Sequence, residues 1–335
     1  METLSLGTTG RSTTRLGFGC SSIMGGLGHR ESLTILETAF DAGIRHFDVA
    51  PMYGYGEAES CLGVFIRRHA GQITVTTKFG IPPESGGAFA SLARSVARPI
   101  VRKFPALKQR LSRASASTPD TPAKLPVTQE LAPKPVNPLF SVKEARRSLH
   151  RSLSALKSDH IDVWLLHEVT AADLHDETLL RFLEESRQAG LIGTFGAGTD
   201  RSNIHALVEL HPDYCPTLQY EWSIFDPLEV ALTAFRIHHR SLSSNFSSVR
   251  EALLSDKERC SRWSRLIDAD LSHPATLAQL MLKAAMLANP ESPILFSSKS
   301  AAHIKANVAL ADDDSLSLPA LSLFRLVQTE LVAQA

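Results

Sequence analysis

Cysteine is scarce in this chain. Cys20, Cys61, Cys215 and Cys260 are spread over 335 positions with no Cys-x-x-Cys pair, which excludes a dense disulfide scaffold and fits a reducing compartment, the cytoplasm. No His or Cys spacing suggests a metal site. Charge of one sign is also lacking. The 35 Lys and Arg match the 35 Asp and Glu, so net charge gives no reason to expect nucleic acid or an acidic partner. No stretch approaches ~20 uninterrupted apolar residues, and Met1 to Leu4 opens neither a basic region nor an apolar run, so neither a membrane span nor a secretory signal is expected. A Gly-x-Gly-x-x-Gly fingerprint after the first strand is missing too, which argues against a Rossmann mode of dinucleotide binding. Repeats of solenoid type are absent.

What the chain does have is 43% hydrophobic content and a regular alternation of strand-like and helix-like segments. Residues 1–335 are expected to form one large domain. Leu4 to Leu16, with turn residues Gly7 to Gly10, reads as a β-hairpin plugging the bottom of a barrel. Gly17 to Cys20 begins the barrel, and a helix through Leu33, Leu36, Ala39 and Phe40 follows, stopped by Gly43. The alternation continues through strands ending in Asp48, Lys78 and His167, then strands at Gly193 to Ala197 and Thr217 to Tyr220. Phe235 to His238 and Ile294 to Phe296 read as the last two. About eight such β/α units with short links predict a closed (β/α)8 TIM barrel. Glu221 to Arg265 is poorly patterned apart from its one strand, and a helix through Leu321, Phe324 and Leu331 is expected to pack outside the barrel.

A long insert, residues 84–139, interrupts the rhythm after the third barrel strand. Phe89, Leu92, Val96, Ile100, Phe104, Leu107 and Leu111 are near helical spacing, with Arg94, Arg98, Arg102, Lys103, Lys108, Arg110 and Arg113 giving a basic surface. Ser115 to Pro138, rich in Pro, Ala, Ser and Thr, reads as a flexible tether. The basic part has three readings: a solvated helical face, a lid over the neighbouring cleft, or a membrane-surface or partner-docking element.

Three strand ends carry the chemistry. Asp48, with Tyr53 shortly after it, Lys78 and His167 each close a different apolar strand, and the carboxyl ends of strands are where open α/β sheets and barrels place ligand chemistry. Taken singly, the Asp could be a cap, the Lys a solvated end, and the His a hydrogen-bonded core residue. Together they suit carbonyl reduction. A tyrosine titrates near pH ~10, and a nearby ammonium and imidazole would favour its anion and ease donation of its proton. Asp48 could supply the anion that Lys78 needs in a cleft of low polarity.

These residues resemble a known family. Phe47 to Glu57, with Glu59 and Leu62-Gly63, is similar to the aldo-keto reductase signature, and Thr76 to Lys78 and Ile161 to His167 resemble the two signatures that follow it. The resemblance runs from Leu4 to Leu310 apart from the insert. Ala50-Pro51 and Gly54 to Gly56 look closest to its bacterial sugar and pyridoxal dehydrogenase branch. It implies hydride transfer from NADP(H), with NAD(H) as the second choice, to an aldehyde or ketone. Tyr53 would then act as general acid, Lys78 paired with Asp48 would lower its pKa, and His167 would orient the carbonyl.

The resemblance also implies a cofactor extended across the barrel mouth. Gly19 and Cys20 fall at the end of the first barrel strand, Gln219 at the position that holds the nicotinamide carboxamide, and His239 near the ring-stacking position, with Arg240 toward the pyrophosphate. Ser297, Ser298, Lys299, His303 and Asn307 fall at the adenosine phosphate; without that context the Ser run reads as a helix cap. Two departures stand out: Gly198-Thr199-Asp200 replaces the usual Ser-Asn, and His303 or Lys299 replaces the usual Arg. Trp222 and Phe225 are candidates for the pocket wall. The alternatives are an NAD(P)+-dependent sugar or pyridoxal dehydrogenase and a cofactor-binding regulatory or docking subunit that contacts its partner through the basic insert.

Overall fold

The structure, a computed structural model, describes residues 1–82, 138–175, 177–227 and 233–333. The predicted basic helix, lid or docking element and tether of the insert lie outside these residues. Strands β1 (Thr3–Ser5) and β2 (Ser12–Thr14) pair antiparallel as the predicted hairpin. Eight further strands close a parallel barrel: β3 (Leu16–Gly19), β4 (His46–Asp48), β5 (Thr74–Phe79), β6 (Ile161–His167), β7 (Ile192–Gly198), β8 (Thr217–Glu221), β9 (Phe235–His239) and β10 (Ile294–Phe296), with β10 returning to β3. Helices pack outside it, as expected: α1 (His29–Asp41), α2 (Ala58–Ile66), α3 (Val142–Leu156), α4 (Glu177–Gln188), α5 (Arg201–Leu210), α6 (Ser243–Ser255), α7 (Lys257–Ile267), α8 (Pro274–Ala288), α9 (Ala301–Ala311) and α10 (Ser317–Val327).

Register decides which side chains meet. Asp48 stands level with Thr76 on β5, Lys78 with Leu165 on β6, His167 with Gly198 on β7, and Gly198 with Gln219 on β8. Because side chains alternate faces with period two, Asp48, Lys78, His167 and Gln219 all fall on the inner face; Lys78 and then His167 each rise two residues above the one before, and Gln219 lies level with His167. Beneath them Val163, Leu165, Ile237 and Leu295 fill the interior, and buried Leu6 from the hairpin closes it from below. The hairpin is therefore the bottom plug the sequence suggested. Trp164 and Leu166 face outward into the larger core between strands and helices.

One close approach depends on a missing side chain. A Cβ added to Gly63 on α2 would lie 2.3 Å from the Ala155 carbonyl on α3, so these helices pack at a distance no larger residue permits. Ser141 caps α3, its hydroxyl accepting from the Glu144 amide.

The poorly patterned region contains two helices the sequence did not disclose. α6 begins in a run of serines, which compete for backbone hydrogen bonds, and buries only Val249 and Leu253; α7 buries only Trp263 and Ile267. Two anchors per helix leave little amphipathic signal. The predicted outer helix is α10, continued by the wider turn Gln328–Val332. Phe324 on α10 stacks on Trp222 at a ring separation of 6.0 Å. Trp222 is thus a core residue rather than the pocket wall anticipated. No helix among the described residues is long and apolar enough to cross a membrane.

Candidate active site

A cavity of about 510 Å3 opens at the carboxyl ends of the barrel strands and is lined by Asp48, Tyr53, Lys78, His167 and Gln219, among others. The Lys78 ammonium donates to both Asp48 carboxylate oxygens, at 2.7 and 2.8 Å, and to the Val49 carbonyl at 3.2 Å. Both side chains are almost wholly buried, 4% and 6% exposed. Gln219 completes the cluster by donating its Nε2 to Asp48 Oδ2 at 2.8 Å.

Tyr53 reaches this cluster from the turn Tyr53–Gly56 that follows β4. Gly54 in that turn has φ 60, and a Cβ there would come within 2.5 Å of the Ile23 carbonyl, so the motif's glycine is required both by conformation and by contact. Tyr55 shares the left-handed conformation at φ 58. The Tyr53 ring lies 5.5 Å from Lys78 Nζ and stands edge-on to the His167 imidazole, ring centres 6.4 Å apart. All four residues suggested by the strand ends converge on one cavity.

Their electrostatics differ from the simple expectation. Lys78 pulls the Tyr53 pKa down more strongly than any other group, but burial, Asp48 and Cys20 act against it, and the net shift is upward from 10.0. The reason is that Asp48, which holds Lys78 in place, presents an opposite charge to the phenol, while burial disfavours the phenolate. Tyr53 therefore keeps its proton at neutral pH. Burial is the largest single influence on Lys78 and works against its charge, yet Asp48, Tyr53 and Cys20 together outweigh it and the ammonium titrates above its usual value. His167 is pushed down to about 3, first by burial and then by Lys78, so it faces the cavity as a neutral imidazole.

Three more histidines share this property. Burial is the leading cause in each: His46 and His239 fall to about 4, and His238 to about 3. A base whose folded pKa lies below its unfolded value of 6.5 takes up protons preferentially when unfolded, so its contribution to stability is intact above pH 6.5 and is lost as pH falls toward 4. Each such histidine steepens the slope by at most about 1.4 kcal/mol per pH unit. Buried Glu59 and Asp162, with raised values, act in the opposite sense at the lower end of this window. Denaturant titrations should show lower unfolding free energy at pH 5 than at pH 7, with a shallower slope for His238→Phe. Equal or greater stability at pH 5 would contradict the neutral assignment.

The residues the sequence associated with a cofactor are only partly gathered. Gly19, Gln219, His239, Arg240, Ser297 and Asn307 line the cavity. Cys20 is fully buried, its thiol directed back to the Phe18 carbonyl at 3.8 Å, and is not among the lining residues. Ser298, Lys299 and His303 stand outside the lining. Ser298 accepts from the Ser300 amide, and Ser300 caps α9 by accepting from the His303 amide, so this part of the Ser run is a helix cap. Lys299 directs its ammonium to the Gly26 loop, where a Cβ would meet it at 2.7 Å. Phe225 is not among the lining residues either.

Sequence reasoning missed several lining positions, notably Ser21, Glu168 and Ser241 to Ser243. Each lies shortly after the end of a barrel strand, the one signal that could have found them.

A closed parallel barrel with its polar groups gathered in a cavity at the carboxyl rim defines the class. The Aldo/keto reductase family model matches residues 15–231. The chain belongs to the aldo/keto reductase family, as the resemblance in its motifs suggested. Among curated relatives it is 31% identical over 249 residues to the pyridoxal 4-dehydrogenase of Microbacterium luteolum, covering 67% of this chain and 64% of that protein. It is 28% identical over 190 residues to the D-threo-aldose 1-dehydrogenase of a Pseudomonas species, covering 55% and 49%. The chain thus spans less than two thirds of either relative's length. Solved structures similar to it include an aldo-keto reductase from Bacillus halodurans in its holo form (TM-score 0.64, 18% identity, 96% of each chain). Another is an aldo-keto reductase from Klebsiella pneumoniae in complex with NADPH (TM-score 0.58, 17% identity, 93% of this chain and 90% of that one). At such identities the likeness is one of fold.

Proposed function

We propose that this chain reduces an aldehyde or ketone to an alcohol with NADPH, and that Asp48, Tyr53, Lys78 and His167 are its catalytic set. The observation that carries the reading is the Lys78–Asp48 pair, held at 2.7 and 2.8 Å in the same cavity as Tyr53 and His167. A buried pair of this kind is hard to justify by stability alone. The nicotinamide, when bound, supplies the hydride to the carbonyl carbon. His167, neutral, donates a hydrogen bond that holds the carbonyl oxygen. Tyr53 passes its proton to the same oxygen as negative charge develops there, and the nearby ammonium of Lys78 stabilises the phenolate that remains.

The cavity suits that cofactor. It runs from Tyr53 and His167 past Gln219, His239 and Arg240 to Ser297 and Asn307, and Gly19 keeps it open, since a Cβ there would meet Ser297 Oγ at 2.7 Å. Gln219 Nε2 is committed to Asp48, so its amide oxygen is the atom left to meet a carboxamide. Lys299 beside Gly26 is the cation available toward the adenosine phosphate. Residues 1–335 would form one domain on this barrel, and a reducing cytoplasm suits four free cysteines. A docking role for residues 84–139 is one of three readings, with a solvated helical face and a lid, that rest on sequence alone.

A second reading, oxidation of a sugar or pyridoxal with NAD(P)+, is favoured by the relatives at 31% and 28% identity. In it Tyr53 acts as base and the other roles stand. A pure cofactor-binding subunit has no need of Tyr53. The test is nicotinamide absorbance with both reduced cofactors against an aldehyde panel, and with both oxidised cofactors against aldoses and pyridoxal. The faster direction chooses between the readings; tight cofactor binding without turnover in either direction would overturn both.

A further inference from the structure

The cavity carries a charge that the catalytic roles do not use. Glu168 follows His167 at the end of β6, with its amide donating to the Gly198 carbonyl at 2.6 Å and its φ at 56. A left-handed backbone is unusual for a glutamate, and residues held in such conformations cluster at binding sites. Its carboxylate lines the cavity, 45% exposed, with Oε1 4.0 Å from His167 Nε2.

The other charges lining the cavity have partners. Lys78 is bound to Asp48, and Arg240 stands 3.9 Å from Asp200. Among the described residues Glu168 has only the His167 ring within ion-pair distance, and that imidazole is held neutral by burial. One negative charge is thus left over, beside the residue that would hold the carbonyl. Partial burial chiefly raises the Glu168 pKa, and the repulsion of Asp200 and Glu221 adds to it against the attraction of Arg240 and Lys78.

We propose that Glu168 sets the substrate class at this site: it admits uncharged or cationic carbonyl compounds and excludes those with a carboxylate or phosphate near the reacting carbon. This rests on the carbonyl-reductase reading. Two unit charges of like sign at the short distances a bound substrate imposes repel by enough to change kcat/KM by about tenfold or more in a partly solvated site.

A matched pair of aldehydes tests it, 4-nitrobenzaldehyde and the anionic 4-carboxybenzaldehyde, each reduced with NADPH at about pH 8, where an exposed carboxylate is ionised. Wild type should favour the neutral aldehyde. In Glu168→Gln, which keeps the shape and removes the charge, the ratio of kcat/KM for the anionic over the neutral aldehyde should rise about tenfold, mostly through KM. Added salt should raise the same ratio in wild type and leave it flat in the variant, a readout that needs no mutant to fold. Turnover of both aldehydes with a ratio that neither Glu168→Gln nor salt changes would overturn the role of Glu168 alone. Failure of the wild type to reduce either aldehyde would overturn the carbonyl-reductase reading and this proposal with it.

Discussion

Tyr53→Phe should lower kcat for aldehyde reduction by about 10³-fold while the Kd for NADPH stays within about twofold of wild type. The substitution removes one hydroxyl and leaves the ring, so its packing 5.5 Å from Lys78 and edge-on to His167 is retained. Lost with the hydroxyl, on the proposed function, is the proton that Tyr53 would deliver to the carbonyl oxygen. Because burial, Asp48 and Cys20 outweigh the pull of Lys78 and raise the Tyr53 pKa, it is in its acid form throughout the neutral range, and the wild-type reduction rate should show no ionisation of this group there. Steady-state kinetics together with cofactor titration by protein fluorescence separates the two quantities. Activity of Tyr53→Phe within tenfold of wild type would remove Tyr53 as the acid.

Lys78→Met should cost the fold about 3–5 kcal/mol, because it leaves the Asp48 carboxylate buried without its counter-charge. Gln219 would still donate to that carboxylate, but one neutral hydrogen bond does not replace an ammonium bound to both oxygens. The double variant Asp48→Asn/Lys78→Met, which removes both charges, should be clearly more stable than Lys78→Met alone. Both should be nearly inactive. Denaturant unfolding measures the first comparison and turnover the second. A double variant no more stable than the single one would show that packing rather than the unpaired charge sets the loss.

Much of the fold was legible because barrel strands are short apolar runs with distinct punctuation. Ile161 to His167 and Ile294 to Phe296 read directly as strands, and Gly43 marked where the first helix gives way to the next strand. α6 and α7 were not legible, since serines and charges dominate them and each contributes only two buried apolar residues. Trp222 illustrates a different limit. A large aromatic after a barrel strand could line the cavity or face the helices, and only the position of Phe324 on α10 decides for the core.

The site divides in the same way. Asp48, Lys78 and His167 were found because each ends an apolar strand, and Tyr53 because it sits in a motif with Gly54. Glu168 escaped notice because a glutamate after a strand is ordinarily a solvated turn residue, and nothing local reveals its unusual φ. The sign of the Tyr53 shift was equally hidden, since it depends on how burial and Asp48 together offset Lys78.

By itself the sequence determined the order of β and α units, the family, and the residue types at the strand ends, because these follow from local periodicity and short motifs. Barrel closure decided the rest. It brings Gln219 onto Asp48 across 171 residues of chain and sets Lys78 against Asp48 across 30. It also leaves the Glu168 charge facing the cavity with no group but the neutral His167 ring within ion-pair distance among the described residues. Such contacts arise from register and burial summed around the whole barrel, and no local stretch of the chain encodes them.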